Sequence, residues 1–234
     1  MRHSQLTTPS GMIELRQRDG HGTPLLFLPS HGSDFASPKG QAIEEMCARH
    51  NRPLIHPAYY GYEGSQHVDV PTGGKGYIRH WFSQLLEIID TRCPQPVVVV
   101  GHSMGAILML QLARRRPDKV AALIGISAGF GVNGQAKATA IYGNSNFMGL
   151  KNHTPLTFTM HEGAMVFAPN SFPAKPIRLQ YGLQDDLVSW RTGTNIAAAC
   201  EGSDVELWLN KSADHSMSDA ASLDWLERQI QSFG

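Results

Sequence analysis

The chain has 234 residues, in which 20 lysines and arginines balance 20 aspartates and glutamates. That length suits one large α/β domain spanning 1–234, and the zero formal charge argues against nucleic acid or an anionic membrane surface as main partner. Three widely separated cysteines, Cys47, Cys93 and Cys200, form neither a disulfide framework nor a CxxC metal pattern, which points to a reducing compartment and to packing roles.

The first residues lack the apolar stretch of a signal peptide, and no apolar run reaches bilayer length. The expected location is therefore the cytoplasm. Apolar runs read as strands at 12–16 and 24–28, followed by a helical pattern at 38–50. A strand at 53–59 and a helix at 75–92 come next, then a strand at 97–101 and a helix at 104–115. Strands at 120–127, 177–182 and 205–209 complete the set, with helices at 189–200 and 219–231. Alternation at this spacing predicts a doubly wound, mostly parallel sheet whose reactive groups gather at the carboxyl ends of its strands.

The segment 129–175 breaks the alternation. It is rich in Gly, Asn, Met, Phe and Pro, and before Lys175 its only formal charges are Lys137, Lys151 and Glu162. A loop of that length inside a compact domain reads as a functional cover, here a lid-like insertion facing an uncharged acyl or alkyl group.

The most informative stretch is Gly101-His102-Ser103-Met104-Gly105, set between Val97-Val98-Val99-Val100 and Ala106-Ile107-Leu108-Met109-Leu110. A serine between glycines, at a sharp turn from apolar strand to helix, is a nucleophile elbow. The turn forces a strained backbone on the serine, and its flanking positions must be small so that strand and helix do not collide. A serine hydroxyl attacks only when a base takes its proton and a carboxylate orients that base. In this fold the chain order is Ser, acid, His. After Ser103 the histidines are His153, His161 and His215. The first two fall inside the cover, whereas His215 follows the last strand, where the base belongs. The acid ends the preceding strand, and the G-x-x-D spacing from Gly182 selects Asp185 over Asp186. Asp186 is expected to brace the loop or cap the next helix.

Two backbone N–H groups must hold the developing oxyanion. Met104, the residue after the nucleophile, supplies one. The other comes from Pro29-Ser30-His31-Gly32-Ser33: counting from the strand end gives His31, whereas matching a His-Gly pair gives Ser33. The strand end fixes the count, which favours His31. No His/Asp/Glu group shows metal-ligand spacing, so no metal is expected.

Together these residues resemble the α/β-hydrolase superfamily over nearly the whole chain. Two blocks carry a narrower likeness: Ala42-Ile43-Glu44-Glu45-Met46-Cys47, and Pro176-Ile177-Arg178-Leu179 through Gly182-Leu183-Gln184-Asp185-Asp186-Leu187-Val188 and on to Asp214-His215-Ser216-Met217. They look like the small-lid hydrolases that include mitochondrial palmitoyl-protein thioesterase and acyl-glucuronide esterase and their bacterial relatives. The resemblance implies Ser103, Asp185 and His215 as the triad, and cleavage of acyl esters or thioesters without a cofactor. One stretch departs from the pattern. Where many relatives hold D-x-x-G-x-G-x-S, this chain has Ala58-Tyr59-Tyr60-Gly61-Tyr62-Glu63-Gly64-Ser65. The aspartate is Ala58 and one glycine is Glu63, so that loop must be braced differently, with the tyrosines expected to pack under the oxyanion loop and direct substrate contact as the alternative.

The expected activity is that of a serine carboxylesterase, possibly a thioesterase, acting on small uncharged short- to medium-chain acyl substrates through an acyl-enzyme. Carbon–carbon bond hydrolysis on the same triad, and a ligand receptor with vestigial turnover, are the alternatives. A chromophore burst without steady turnover on p-nitrophenyl esters marks the receptor.

Overall fold

The computed structural model describes residues 1–69, 78–129 and 158–234. In chain order the strands are β1 (Arg2–Thr8), β2 (Gly11–Arg18), β3 (Leu25–Leu28), β4 (Leu54–Pro57), β5 (Val97–His102), β6 (Val120–Ile126), β7 (Phe158–His161), β8 (Ala164–Phe167), β9 (Ile177–Gly182) and β10 (Val205–Asn210). The helices are α1 (Pro38–Arg49), α2 (Ile78–Arg92), α3 (Met104–Arg115), α4 (Arg191–Ala199) and α5 (Ala220–Ser232).

Eight strands form one sheet in the order β1-β2-β4-β3-β5-β6-β9-β10. The pairs β1/β2 and β2/β4 are antiparallel, and all the others are parallel. This is the α/β-hydrolase architecture. The central strands β3 and β5 are buried at every position, as expected for a parallel sheet covered on both faces. Alternate residues of β5 feed two cores. Val97 and Val99 point to the face covered by α2, α3 and α4 with Trp81, Phe82, Leu108 and Ile196. Val98 and Val100 point to the face covered by α1 and α5 with Ile43, Met46, Trp225 and Leu226. Each large side chain sealed in this way contributes about 1.5–3 kcal/mol.

The chain leaves β3 toward β4 on one side and returns to β5 on the other, so strand order reverses between β3 and β5. The crevice that such a reversal opens lies beyond the carboxyl ends of those two strands. That is where the loop after β3 and the turn carrying Ser103 begin.

The structure departs from the sequence reading in four places. β1 was not expected. Its seven residues bury only Leu6, and it holds to β2 through the backbone ladder and polar pairs such as Ser4 Oγ to Gln17 at 2.7 Å. The strand expected at 53–59 is confined to Leu54–Pro57, because Ala58 to Tyr60 turn away to meet α2: the Tyr60 amide donates to Gln84, and Trp81 Nε1 donates to the Tyr60 carbonyl. The helix expected from residue 189 begins at Arg191. The insertion at 129–175 is partly regular. Its stretch 130–157 lies outside the described residues, whereas β7 and β8 form an antiparallel hairpin. That hairpin is clamped to α4, since Thr192 Oγ1 accepts the Met165 amide at 3.1 Å and Asn195 donates to the Met165 carbonyl at 2.9 Å. The expected start of the helix at 75–92 also lies outside the described residues, which resume at Ile78.

Candidate active site

Ser103 sits between β5 and α3 with φ 54° and ψ −119°. A non-glycine residue held there stores strain on the order of 1–3 kcal/mol. The glycines around it are sterically required. A Cβ on Gly101 would lie 2.5 Å from Ala106 Cα, and one on Gly105 would lie 2.1 Å from the Leu28 carbonyl oxygen and 2.5 Å from that of Pro29. Gly105 thus lets α3 press directly on the end of β3.

Ser103 Oγ is 3.0 Å from His215 Nε2, and His215 Nδ1 is 2.8 Å from Asp185 Oδ2. Two residues 112 positions apart and a third 30 positions from the histidine therefore form one chain of hydrogen bonds. A further glycine sets the approach of the last two. A Cβ on Gly182 would lie 2.1 Å from the Ala213 carbonyl, so the loop bearing His215 rests directly on the end of β9.

The Asp185 side chain is fully buried. Its Oδ1 accepts the amides of Leu187 and Val188, each at 2.8 Å. Burial alone would raise its pKa, but hydrogen bonds from His215 and the Val188 and Leu187 amides outweigh that and hold it below the ordinary carboxylate value. Asp186 is exposed and makes no hydrogen bond or ion pair among the described residues. The expectation that Asp186 braces the loop or caps α4 is corrected: Asp185 braces its own loop, and α4 starts without a side-chain cap.

Of the two candidate second donors, the Ser33 amide donates to the Ser30 carbonyl at 3.2 Å, in a turn that spans His31 and Gly32. Met104, at the first turn of α3, presents one of the amides a helix N-terminus leaves without an intrahelical acceptor. The His31 ring lies 5.5 Å from that of Trp81, and Tyr59 stacks on the same indole at 5.1 Å. Tyr59 packs beneath this loop, its Oη donating to the Pro29 carbonyl at 3.1 Å, whereas the Tyr60 ring packs against His67 and His80.

Two residues that anchor the His215 loop escaped sequence reading. His102, the variable position of the elbow, donates from Nε2 to the His215 carbonyl at 3.3 Å. Burial, followed by the charges of His215 and Lys39, drives its pKa down to about 3, so it stays a neutral donor. Lys39, buried in the first turn of α1, donates to the carbonyl of Met217, which is itself in a left-handed conformation. Burial lowers the Lys39 pKa to about 8, against the pull of Asp219 and Asp214. The available signal was a cation in a helix's first turn, where the macrodipole disfavours it.

One group that sequence spacing had not suggested brings His67, Asp69 and His80 together, with donor atoms within 4.8 Å of one another. It is poorly suited to a cation. The Asp69 amide donates to His67 Nδ1 at 3.1 Å, and Arg79 Nε donates to His80 Nε2 at 3.3 Å. An imidazole nitrogen that accepts an N–H has no lone pair left for a metal. The cysteines are inert: burial raises Cys47 and Cys93 to about 12 and Cys200 to about 11. No described helix is long and apolar enough to cross a membrane.

The model of the alpha/beta hydrolase family matches residues 21–231. The chain belongs to that family. This α/β hydrolase is 29% identical over 231 residues to a mitochondrial protein of Bos taurus named palmitoyl-protein thioesterase ABHD10, covering 92% of this chain and 74% of that one. Its structure is similar to that of mouse alpha/beta hydrolase domain-containing protein 10, with a TM-score of 0.78, 24% identity, and coverage of 99% and 98%. The thioesterase domain of a curacin biosynthetic pathway shares the α/β-hydrolase fold at a TM-score of 0.68 and 16% identity, with 99% of each chain covered.

Proposed function

We propose that this hydrolase cleaves uncharged short- to medium-chain acyl esters, thioesters included, through an acyl-enzyme on Ser103. The observation that carries the reading is the continuous hydrogen-bond chain Ser103–His215–Asp185. Ser103 Oγ attacks the acyl carbonyl while His215 Nε2 takes its proton. The Met104 and His31 amides receive the oxyanion. His215 returns the proton to the departing alcohol or thiol, and water then repeats the cycle on the acyl-enzyme. The name of the bovine relative, a palmitoyl-protein thioesterase, supports thioesters among the substrates.

The acyl preference follows from the sparsely charged 129–175 segment. Each buried methylene contributes up to about 0.8 kcal/mol, or about fourfold in kcat/KM, until the pocket ends. The gain is expected to stop at short or medium chains in a C2 to C16 p-nitrophenyl series. A steady rise to C16 with activation at the micelle threshold would mean a long-chain enzyme and would overturn the chain-length assignment.

The pH profile tests the base. Asp185 is depressed below the ordinary carboxylate range, so it stays ionised until pH falls through that low value, and His102 is neutral above about pH 3. Neither group therefore changes protonation state near neutral pH, whereas Lys39, lowered to about 8, does so above it. The logarithm of kcat/KM is expected to rise with pH at unit slope and then level off, because only neutral His215 accepts the Ser103 proton. A flat profile from pH 5 to 9 removes histidine as the base, and a slope of two implicates a second group.

A further inference from the structure

The loop that departs from the family pattern meets the loop after β3 at two places. Tyr59 Oη donates to the Pro29 carbonyl at 3.1 Å. The Phe35 amide donates to Glu63 Oε1 at 3.0 Å. Residues 59 and 63 thus hold residues 29 and 35, and the His31 amide lies inside the stretch so held.

Glu63 is the anomalous member. It occupies a left-handed conformation, φ 51°, at the position where the pattern of relatives places glycine. The residue is exposed, so packing does not repay the strain. What glycine lacks there is the carboxylate. That carboxylate ends on a residue fixed from its other side as well: Arg16 Nη1 donates to the Phe35 carbonyl at 3.3 Å, and the Phe35 ring is buried against His56 at 5.0 Å. Phe35 is therefore the anchored end of that loop, and Glu63 is its polar tether.

We propose that Glu63 is a positioning residue, whose carboxylate holds the Phe35 amide and thereby fixes the loop that presents His31 to the oxyanion. The inference rests on the serine-hydrolase reading above and deepens it. It replaces the missing aspartate and glycine of the family pattern with a different brace. A donor to the oxyanion acts chiefly in the transition state, so loosening its loop lowers kcat more than it raises KM. Support of this kind matters because a catalytic group is only as well placed as the residues behind it.

The test pairs Glu63→Gly with Glu63→Gln. Glycine relieves the backbone strain and removes the acceptor, whereas glutamine keeps a carbonyl acceptor on the same stem. Glu63→Gly is expected to lose about tenfold in kcat on p-nitrophenyl butyrate, with KM changed less than about threefold. Its melting temperature is expected to equal or exceed that of the parent. Hydrogen exchange at the Phe35 amide should accelerate in Glu63→Gly alone, and Glu63→Gln should keep kcat within about threefold of the parent. Unchanged kcat in Glu63→Gly, equal losses in both variants, or a lowered melting temperature would each overturn the proposal, the last by showing a structural role. The phosphonylation rate of Ser103 by a fluorophosphonate separates the two readings. If the parent is not labelled at Ser103, the serine-hydrolase reading fails. If it is labelled and Glu63→Gly reacts at the parent's rate, only the tether fails.

Discussion

Ser103→Ala is expected to lower kcat/KM on p-nitrophenyl acetate by at least about 10³-fold while the protein stays folded, because the change removes covalent catalysis and leaves the elbow intact. Alanine tolerates the φ of 54° no worse than serine, and the backbone hydrogen bond from Ser103 to the Ile126 carbonyl at 2.7 Å is untouched. The melting temperature therefore separates this loss from misfolding. A fluorophosphonate should add once, at Ser103, in the parent protein and nowhere in the variant. Near-parental hydrolysis by the alanine variant, or labelling at another residue, would show that Ser103 is not the nucleophile.

The two neighbouring aspartates are expected to behave very differently. Asp185→Asn preserves shape but removes the charge that stabilises the His215 imidazolium, and it offers the imidazole an amide that can favour the wrong tautomer. A loss of roughly 10³ to 10⁴-fold in kcat is expected. The same variant also perturbs the loop, since Asp185 accepts the Leu187 and Val188 amides. Asp186 is exposed, and Asp186→Asn is expected to stay within about twofold of the parent, as for surface changes generally. Steady-state kinetics on the pair decides the assignment. A larger loss at Asp186 would move the acid by one residue.

What was legible in the sequence was what local pattern records. The elbow announced itself because Val97 to Val100, the two glycines and Ala106 to Leu112 lie within sixteen residues of one another. Asp185 and His215 were legible because each ends or follows a strong apolar strand in a fixed order. β1 was not, since a strand that buries only Leu6 has no alternation to detect. The β7/β8 hairpin offered four residues per strand, too few for a period. Lys39 and Glu63 were hidden for another reason. Their partners are the Met217 carbonyl and the Phe35 amide, and a backbone atom carries no sequence identity that could mark it as a partner.

The contact at Gly105 bears on how this enzyme can change. α3 and the end of β3 meet there backbone to backbone, with no side chain between them that could be exchanged for a larger or smaller one. The spacing between the helix that carries Met104 and the loop that carries His31 is therefore set by the thickness of a peptide, a dimension mutation does not offer in increments. Gly105→Ala would set a Cβ 2.1 Å from the Leu28 carbonyl oxygen, and backbone on one side would have to shift. Libraries aimed at altered selectivity therefore belong away from this contact, with residues 101–105 left as they are.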